Sequence, residues 1–233
     1  MIVIHEIPGI APEVARFATW VADAGFTVAM PSLFGTPGRP LTGSYALGQF
    51  ARACISREFA VLAAHRASPV TEWLRALGRA LRAEVGGPGI GAVGMCLTGN
   101  FALALMADPH LLAPVLAQPS LPVPIGAARR RALHVSPEQL AIAKRRSAED
   151  DIRLLALRFS DDPLCPAERM VRLREEFGDR LEAIEIPSSS GRRPGRKAHC
   201  TLTHDLVDAA GHPTALARDR VIAFLHEQLR VRP

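Results

Sequence analysis

Short apolar runs alternate with longer amphipathic runs along almost the whole of this chain, and few architectures accommodate that order. The first run, Met1-Ile2-Val3-Ile4, reads as a strand. Residues 13–24 then place Val14, Phe17, Ala18 and Val21 on one helical face, and Gly25 stops that helix. Residues 26–30 read as a second strand ended by Pro31, and residues 32–44, rich in Gly and Pro, as a loop. Helices are expected at 49–64 and at 70–85, the second opened by Ser68-Pro69 and broken by Gly86-Gly87-Pro88-Gly89. Strands come next at 90–95, 113–117, 152–159 and 181–186, with helices at 97–107, 136–146, 167–177 and 215–229. Strand–helix alternation of this kind predicts an α/β fold, a mostly parallel sheet with helices on both faces. Ligands in such sheets bind at the carboxyl ends of the strands. With 233 residues, 48% of them hydrophobic, and no internal repeat or linker, one domain over 1–233 is expected.

Charge and cysteine content narrow the function classes. The formal net charge is +5, nearly all from arginine. Apart from Arg129-Arg130-Arg131, Lys144-Arg145-Arg146 and the stretch 192–197, the basic residues are dispersed and few aromatics lie among them. That argues against a nucleic-acid partner and for a solvated basic surface, which would also draw anionic substrates. Nothing resembles a signal peptide or a membrane span, so a soluble cytoplasmic protein without a membrane partner is expected, as monomer or dimer. The cysteines Cys54, Cys96, Cys165 and Cys200 form no C-x-x-C pair and no zinc-finger spacing, so they are expected reduced, with no metal.

The turn Gly94-Met95-Cys96-Leu97-Thr98-Gly99 carries the strongest chemical signal. It lies between an expected strand and an expected helix. Glycines flank Cys96 as they flank the serine of a nucleophile elbow, except that the second comes one place late. A cysteine starting a helix gains from the helix dipole, which favours thiolate. A buried structural cysteine is the plain alternative. In elbow hydrolases the acid and then the histidine come after the nucleophile in the chain. Asp162 and Asp161 compete for the acid, directly after the strand 152–159, and either could instead cap the next helix. His199 and His204 compete for the base. His199 comes first after the polar loop 188–198 and is preferred, while His212 reads as a helix-entry residue. Near the N-terminus, His5-Glu6-Ile7-Pro8-Gly9 succeeds the first strand and faces the Cys96 turn. The backbone N–H groups of Ile7 and Leu97 are therefore candidates for an oxyanion hole, with Glu6 projecting into the pocket. Ser32, Ser120 and Ser188 lie on no glycine-flanked strand-to-helix turn, which disfavours a serine enzyme.

Together these residues resemble the dienelactone hydrolase family, of the α/β-hydrolase type, over nearly the whole chain. The resemblance rests on His5-Glu6-Ile7-Pro8-Gly9, on the Cys96 turn, on Asp162-Pro163-Leu164-Cys165-Pro166 and on the late histidine. It implies a Cys96–Asp162–His199 triad that hydrolyses a lactone or ester without a cofactor. It also implies that Glu6 contacts the resting thiol and, expelled by substrate, takes its proton. Arginines bind the substrate carboxylate in that family, and Arg57 lies in the corresponding region. Three features depart from the family pattern. The chain starts at the first catalytic strand, so either earlier strands are missing from its start or the sheet is smaller. The elbow reads Cys96-Leu97-Thr98-Gly99-Asn100 where the family has two glycines. The loop before His199 is longer and more basic. The expected function is hydrolysis of a small-molecule ester or lactone. The rival expectation is a non-catalytic or redox-sensing protein on the same fold, its thiol oxidised rather than acylated.

Overall fold

Five strands lie side by side in chain order and all run parallel: β1 (Ile2–Ile4), β2 (Ile90–Met95), β3 (Leu111–Ala117), β4 (Leu154–Phe159) and β5 (Leu181–Ile186). The structure is a computed structural model, and it describes residues 1–55, 68–192 and 198–229, with backbone alone at 53–55. The helices are α1 (Pro12–Asp23), α2 (Gly43–Ile55), α3 (Pro69–Val85), α4 (Phe101–Leu105), α5 (Gly126–Arg131), α6 (Pro137–Glu149), α7 (Ala167–Phe177) and α8 (Pro213–Leu229). Among the described residues no helix is long and apolar enough to cross a membrane.

The two-residue period of a strand splits the core into two layers. Ile2, Ile4, Ala92, Leu154 and Ala156 face one way and pack with Leu74, Phe101, Ala143, Met170 and Leu173 of α3, α4, α6 and α7. Val3, Val93, Met95, Leu155, Leu157 and Phe159 face the other way, against Val14, Phe17 and Val21 of α1 and Val221 and Phe224 of α8. Each fully buried Leu, Ile, Val or Phe contributes about 1.5–3 kcal/mol, so these layers are the main stabilising term. Both faces of the central strands are covered, which is why β3 and β4 read as continuous apolar runs. Arg158 in β4 is the exception. It is buried, and its guanidinium donates to the carbonyls of Cys165 (2.8 Å) and Ser160 (2.8 Å) and pairs with Glu185.

Helix ends obey local chemistry. Pro12 and Pro69 open α1 and α3 in the first turn, where no amide donor is needed. A reciprocal capping box opens α6: the Gln139 amide donates to Ser136 Oγ (3.1 Å) and the Ser136 amide to Gln139 Oε1 (3.4 Å). Gly25, at φ +93°, comes after α1 in a conformation that suits glycine.

Two expectations are corrected. Residues 26–30 do not form a strand proper. They run beside β1 with a single parallel bridge, Ile2 to Ala29, closed by Val3 N–H to Ala29 O (2.9 Å) and Ala29 N–H to Met1 O (2.8 Å). Pro31 has no amide to extend that ladder. The helix expected over 97–107 is also shorter. Cys96–Thr98 is a 3-10 turn and α4 covers only Phe101–Leu105. Arg146 takes up the carbonyls beyond its end, donating to Met106 O (2.9 Å) and Asp108 O (2.5 Å). The Arg129-Arg130-Arg131 run belongs to α5, where Arg130 is bidentate to Glu168 (2.8 and 2.9 Å) and Arg131 reaches Glu175 (2.6 Å).

Candidate active site

Every side chain of interest leaves the sheet at a carboxyl end: Glu6 after β1, Cys96 after β2, Gln118 and Ser120 after β3, and Asp162 after β4. Cys96 has φ +53°, the left-handed region that side-chain-bearing residues rarely occupy. The surrounding turn enforces that conformation. Thr98, fully buried, accepts from the Met95 amide (3.1 Å), and its hydroxyl lies within reach of the carbonyls of Ile4 (3.1 Å), His5 (3.2 Å) and Met95 (3.0 Å). One hydroxyl thus fastens the elbow to the end of β1. A Cβ on Gly94 would lie 2.3 Å from the Thr98 carbonyl oxygen, and one on Gly99 would lie 2.5 Å from Pro119 Cα. The late glycine therefore has a steric reason: it lets the β3 loop approach the turn. Ser120 N–H closes that approach by donating to Cys96 O (2.9 Å). The dipole argument for Cys96 loses its helix, because Cys96 opens only a 3-10 turn and α4 behind it has just five residues.

His199 Nδ1 hydrogen bonds to Asp162 Oδ2 at 2.7 Å, and Asp162 Oδ1 accepts from the Leu164 amide (2.9 Å). Asp162 is 2% exposed. Cys96 is a hydrogen-bond and charge partner of the same imidazole. Burial opposes charging the ring. The interactions with Cys96 and the hydrogen bond to Asp162 outweigh it and hold His199 well above the usual imidazole range. His199 Nε2 also lies 3.2 Å from Ser120 Oγ. Ser120 donates its hydroxyl to Gln118 O (2.9 Å), so toward His199 it can only accept, which favours the doubly protonated ring. Cys96, His199, Asp162, Ile7 and Leu97 all line one cavity of about 470 Å³.

The profile of the dienelactone hydrolase family matches residues 1–191. This chain belongs to the dienelactone hydrolase family. A Klebsiella pneumoniae subsp. pneumoniae protein described as a dienelactone hydrolase superposes with TM-score 0.61 at 18% identity, covering 97% of this chain and 85% of the other. An esterase of Pyrococcus furiosus gives TM-score 0.57 at 12% identity, over 98% and 83% of the two chains. A meta-cleavage product hydrolase gives 0.54 at 13%, over 97% and 90%. At such identities these neighbours establish the α/β-hydrolase fold alone. A search of curated proteins found no match.

The other candidates of this family member go elsewhere. Asp161 is exposed, with Ser160 Oγ on its carboxylate and its amide donating to Ser188 Oγ (2.8 Å). His204 turns to Glu13 of α1 (3.3 Å) and His212 to Thr214 (2.8 Å). Arg57 and Cys54 fall outside the residues whose side chains are described. Glu6 is fully buried in the cavity wall. Oε2 accepts from Gln118 Nε2 (3.0 Å), Oε1 accepts from Thr203 Oγ1, and the same cavity is lined by Cys200. The Cys200 thiol is pushed well up, by burial first and then by the charges of Glu6 and Cys96.

Sequence reasoning passed over Gln118, Asp205 and Arg169. Gln118 bridges Glu6 and Thr201, whose amide donates to Gln118 Oε1 (3.2 Å). Asp205 Oδ2 accepts the amides of His199 (2.9 Å) and Cys200 (3.0 Å), fixing the loop that carries the imidazole. Gln118 had one visible signal, its position just beyond a strand end.

His5 stands behind the site and sets a pH limit. Leu33 N–H donates to Nε2 (3.0 Å), so the proton sits on Nδ1, which donates to Glu6 O (3.0 Å). Burial pushes His5 down to about 4, with the Glu6 carbonyl opposing. The unfolded imidazole protonates near 6.5 while the folded one stays neutral, so acidification between those values favours unfolding. The folded state should lose about 3 kcal/mol between pH 6.5 and pH 4 through this residue. Urea unfolding across that range should show a shallower slope in His5→Asn than in the wild type. Equal slopes would remove His5 as the cause.

Proposed function

We propose that the protein is a cysteine-dependent hydrolase of carboxylic esters or lactones, with Cys96 as nucleophile, His199 as base and Asp162 as the group that orients it. The observation that carries this reading is the short Asp162–His199 hydrogen bond at a ring that also partners Cys96. Cys96 thiolate, its proton on His199, attacks the carbonyl and forms an S–C bond. The N–H groups of Ile7 and Leu97 receive the developing oxyanion, His199 returns its proton to the leaving oxygen, and a thioester remains. His199 then draws a proton from water, which hydrolyses the thioester to the acid and restores Cys96. No cofactor enters this cycle. Glu6 already accepts from Gln118 and Thr203, whereas His199 is a partner of Cys96, so His199 is assigned as the acceptor.

A serine nucleophile has one observation in its favour, the 3.2 Å between Ser120 Oγ and His199. Its hydroxyl proton, however, points to Gln118 O, away from the base that would have to remove it. Denaturing mass spectrometry seconds after mixing with a cinnamoyl-type ester decides between them. The expected result is one acyl mass on the Cys96 peptide, absent in Cys96→Ala and present in Ser120→Ala. A sulfenic acid after peroxide, with no acyl adduct from any ester, would favour the redox-sensing rival.

A further inference from the structure

Resting on the cysteine-hydrolase reading, we propose a substrate class: an uncharged ester or lactone whose acyl group is apolar, lodged above Cys96 against α2 and the loops after β3 and β4. Among the described residues three carboxyl side chains line the cavity, Glu6, Asp162 and Asp205. Each already has its donors: Gln118 and Thr203 on Glu6, His199 and Leu164 on Asp162, and the amides of His199 and Cys200 on Asp205. Around and above them stand Leu41, Leu47, Phe50, Leu121, Val123 and Leu164. Leu47 and Phe50, three apart on α2, are 70% and 37% exposed, and Leu164 across the opening is 43% exposed. Apolar side chains left in water around one mouth gain free energy when a chain covers them. The acyl half is the part that stays tethered, through the thioester, to the sulfur at the base of this wall. A carboxylate on that half would lose its hydration against apolar side chains and face three carboxyl groups. The lining formed by the described residues therefore favours a class different from the carboxylate-bearing lactone of the family resemblance.

The test compares 4-nitrophenyl acetate, 4-nitrophenyl hexanoate and the 4-nitrophenyl monoester of adipic acid, which matches hexanoate in length but ends in a carboxylate. Each buried methylene raises kcat/KM by up to about fourfold, so hexanoate should exceed acetate at least tenfold, on the order expected for partial burial of four methylenes. The adipate ester should fall at least tenfold below hexanoate. Leu47→Arg, at an exposed position where folding is not at risk, should raise the adipate-to-hexanoate ratio at least fivefold, on the order of one added partly solvated ion pair. An adipate ester turned over as well as hexanoate overturns the proposal and leaves the hydrolase reading intact, as does a ratio unchanged in Leu47→Arg. Absence of both turnover and acyl adduct with all three esters removes the hydrolase reading itself, and the proposal with it.

Discussion

Asp162→Asn is expected to lower kcat for ester hydrolysis by about 10³-fold or more at neutral pH, with KM changed less than about threefold. The argument is one of proton placement. Asp162 accepts on both oxygens, from His199 Nδ1 through Oδ2 (2.7 Å) and from the Leu164 amide through Oδ1 (2.9 Å). An amide in its place keeps only one acceptor. If its oxygen faced His199, its NH₂ would confront the Leu164 N–H, donor against donor. The amide therefore turns its NH₂ toward His199. Nδ1 must then accept, the ring proton moves to Nε2, and no lone pair remains to draw the proton from Cys96. The ring also loses one of the influences that hold it well above the usual imidazole range, so the imidazolium that balances the thiolate becomes harder to form. Cys96 alkylation by iodoacetamide, measured against pH, reads the same change without turnover: the neutral-pH rate should fall in Asp162→Asn and hold in Asp161→Asn, where the carboxylate is exposed and accepts from Ser160. Retention of kcat within tenfold would sink the role given to Asp162.

What the amino-acid order reveals depends on how local the cause is. The strand at Leu181–Ile186 and the helix at Ala167–Phe177 are bounded by neighbours in the chain, and both lie where periodicity and turn residues put them. Residues 26–30 have strand composition, yet whether they pair is decided by β1, and Pro31 limits them to one bridge. The turn at Cys96 is legible because its strain is local and needs small flanking residues. The displacement of its second glycine is not, since the atoms it makes room for belong to Pro119, twenty residues on. Asp162 and His199 could be proposed from chain order, but their separation from Asp161 and His204 depends on which loop faces the cavity. Glu6 illustrates the same point: its projection into the pocket could be proposed from its place after β1, whereas its partners, Gln118 and Thr203, come from distant segments.

Arg169 is the extreme case, and its replacement should produce the largest loss of stability outside the apolar layers. It is fully buried on α7, four residues before Leu173 on the inward face, where its charge alone would argue for solvent. Its guanidinium spends its donors on backbone: Nε to Ala132 O (2.9 Å), Nη1 to Pro119 O (2.6 Å) and Leu164 O (3.4 Å), Nη2 to Pro122 O (2.7 Å) and Arg129 O (2.9 Å). Five carbonyls converge on one planar fork, two from the loop after β3, one from the loop after β4 and two from α5 and its end, and those two loops carry Ser120 and Leu164 to the cavity. Burial lowers the Arg169 pKa, which Cys165 and Asp162 oppose, from a starting value high enough that the charge persists. Arg169→Met fills similar space but leaves those carbonyls without donors, each orphan costing about 1–3 kcal/mol where water cannot reach it. Partial relaxation brings the expected loss to about 3–5 kcal/mol, a large share of a typical domain's stability. Arg169→Lys should recover less than half of it, because a compact ammonium with three donors cannot span five acceptors arranged for a fork. Urea unfolding of the three proteins measures this directly. A methionine variant within about 1 kcal/mol of the wild type would show that the loops hold their places without the guanidinium, and that the floor of the site is fixed by the apolar layers alone.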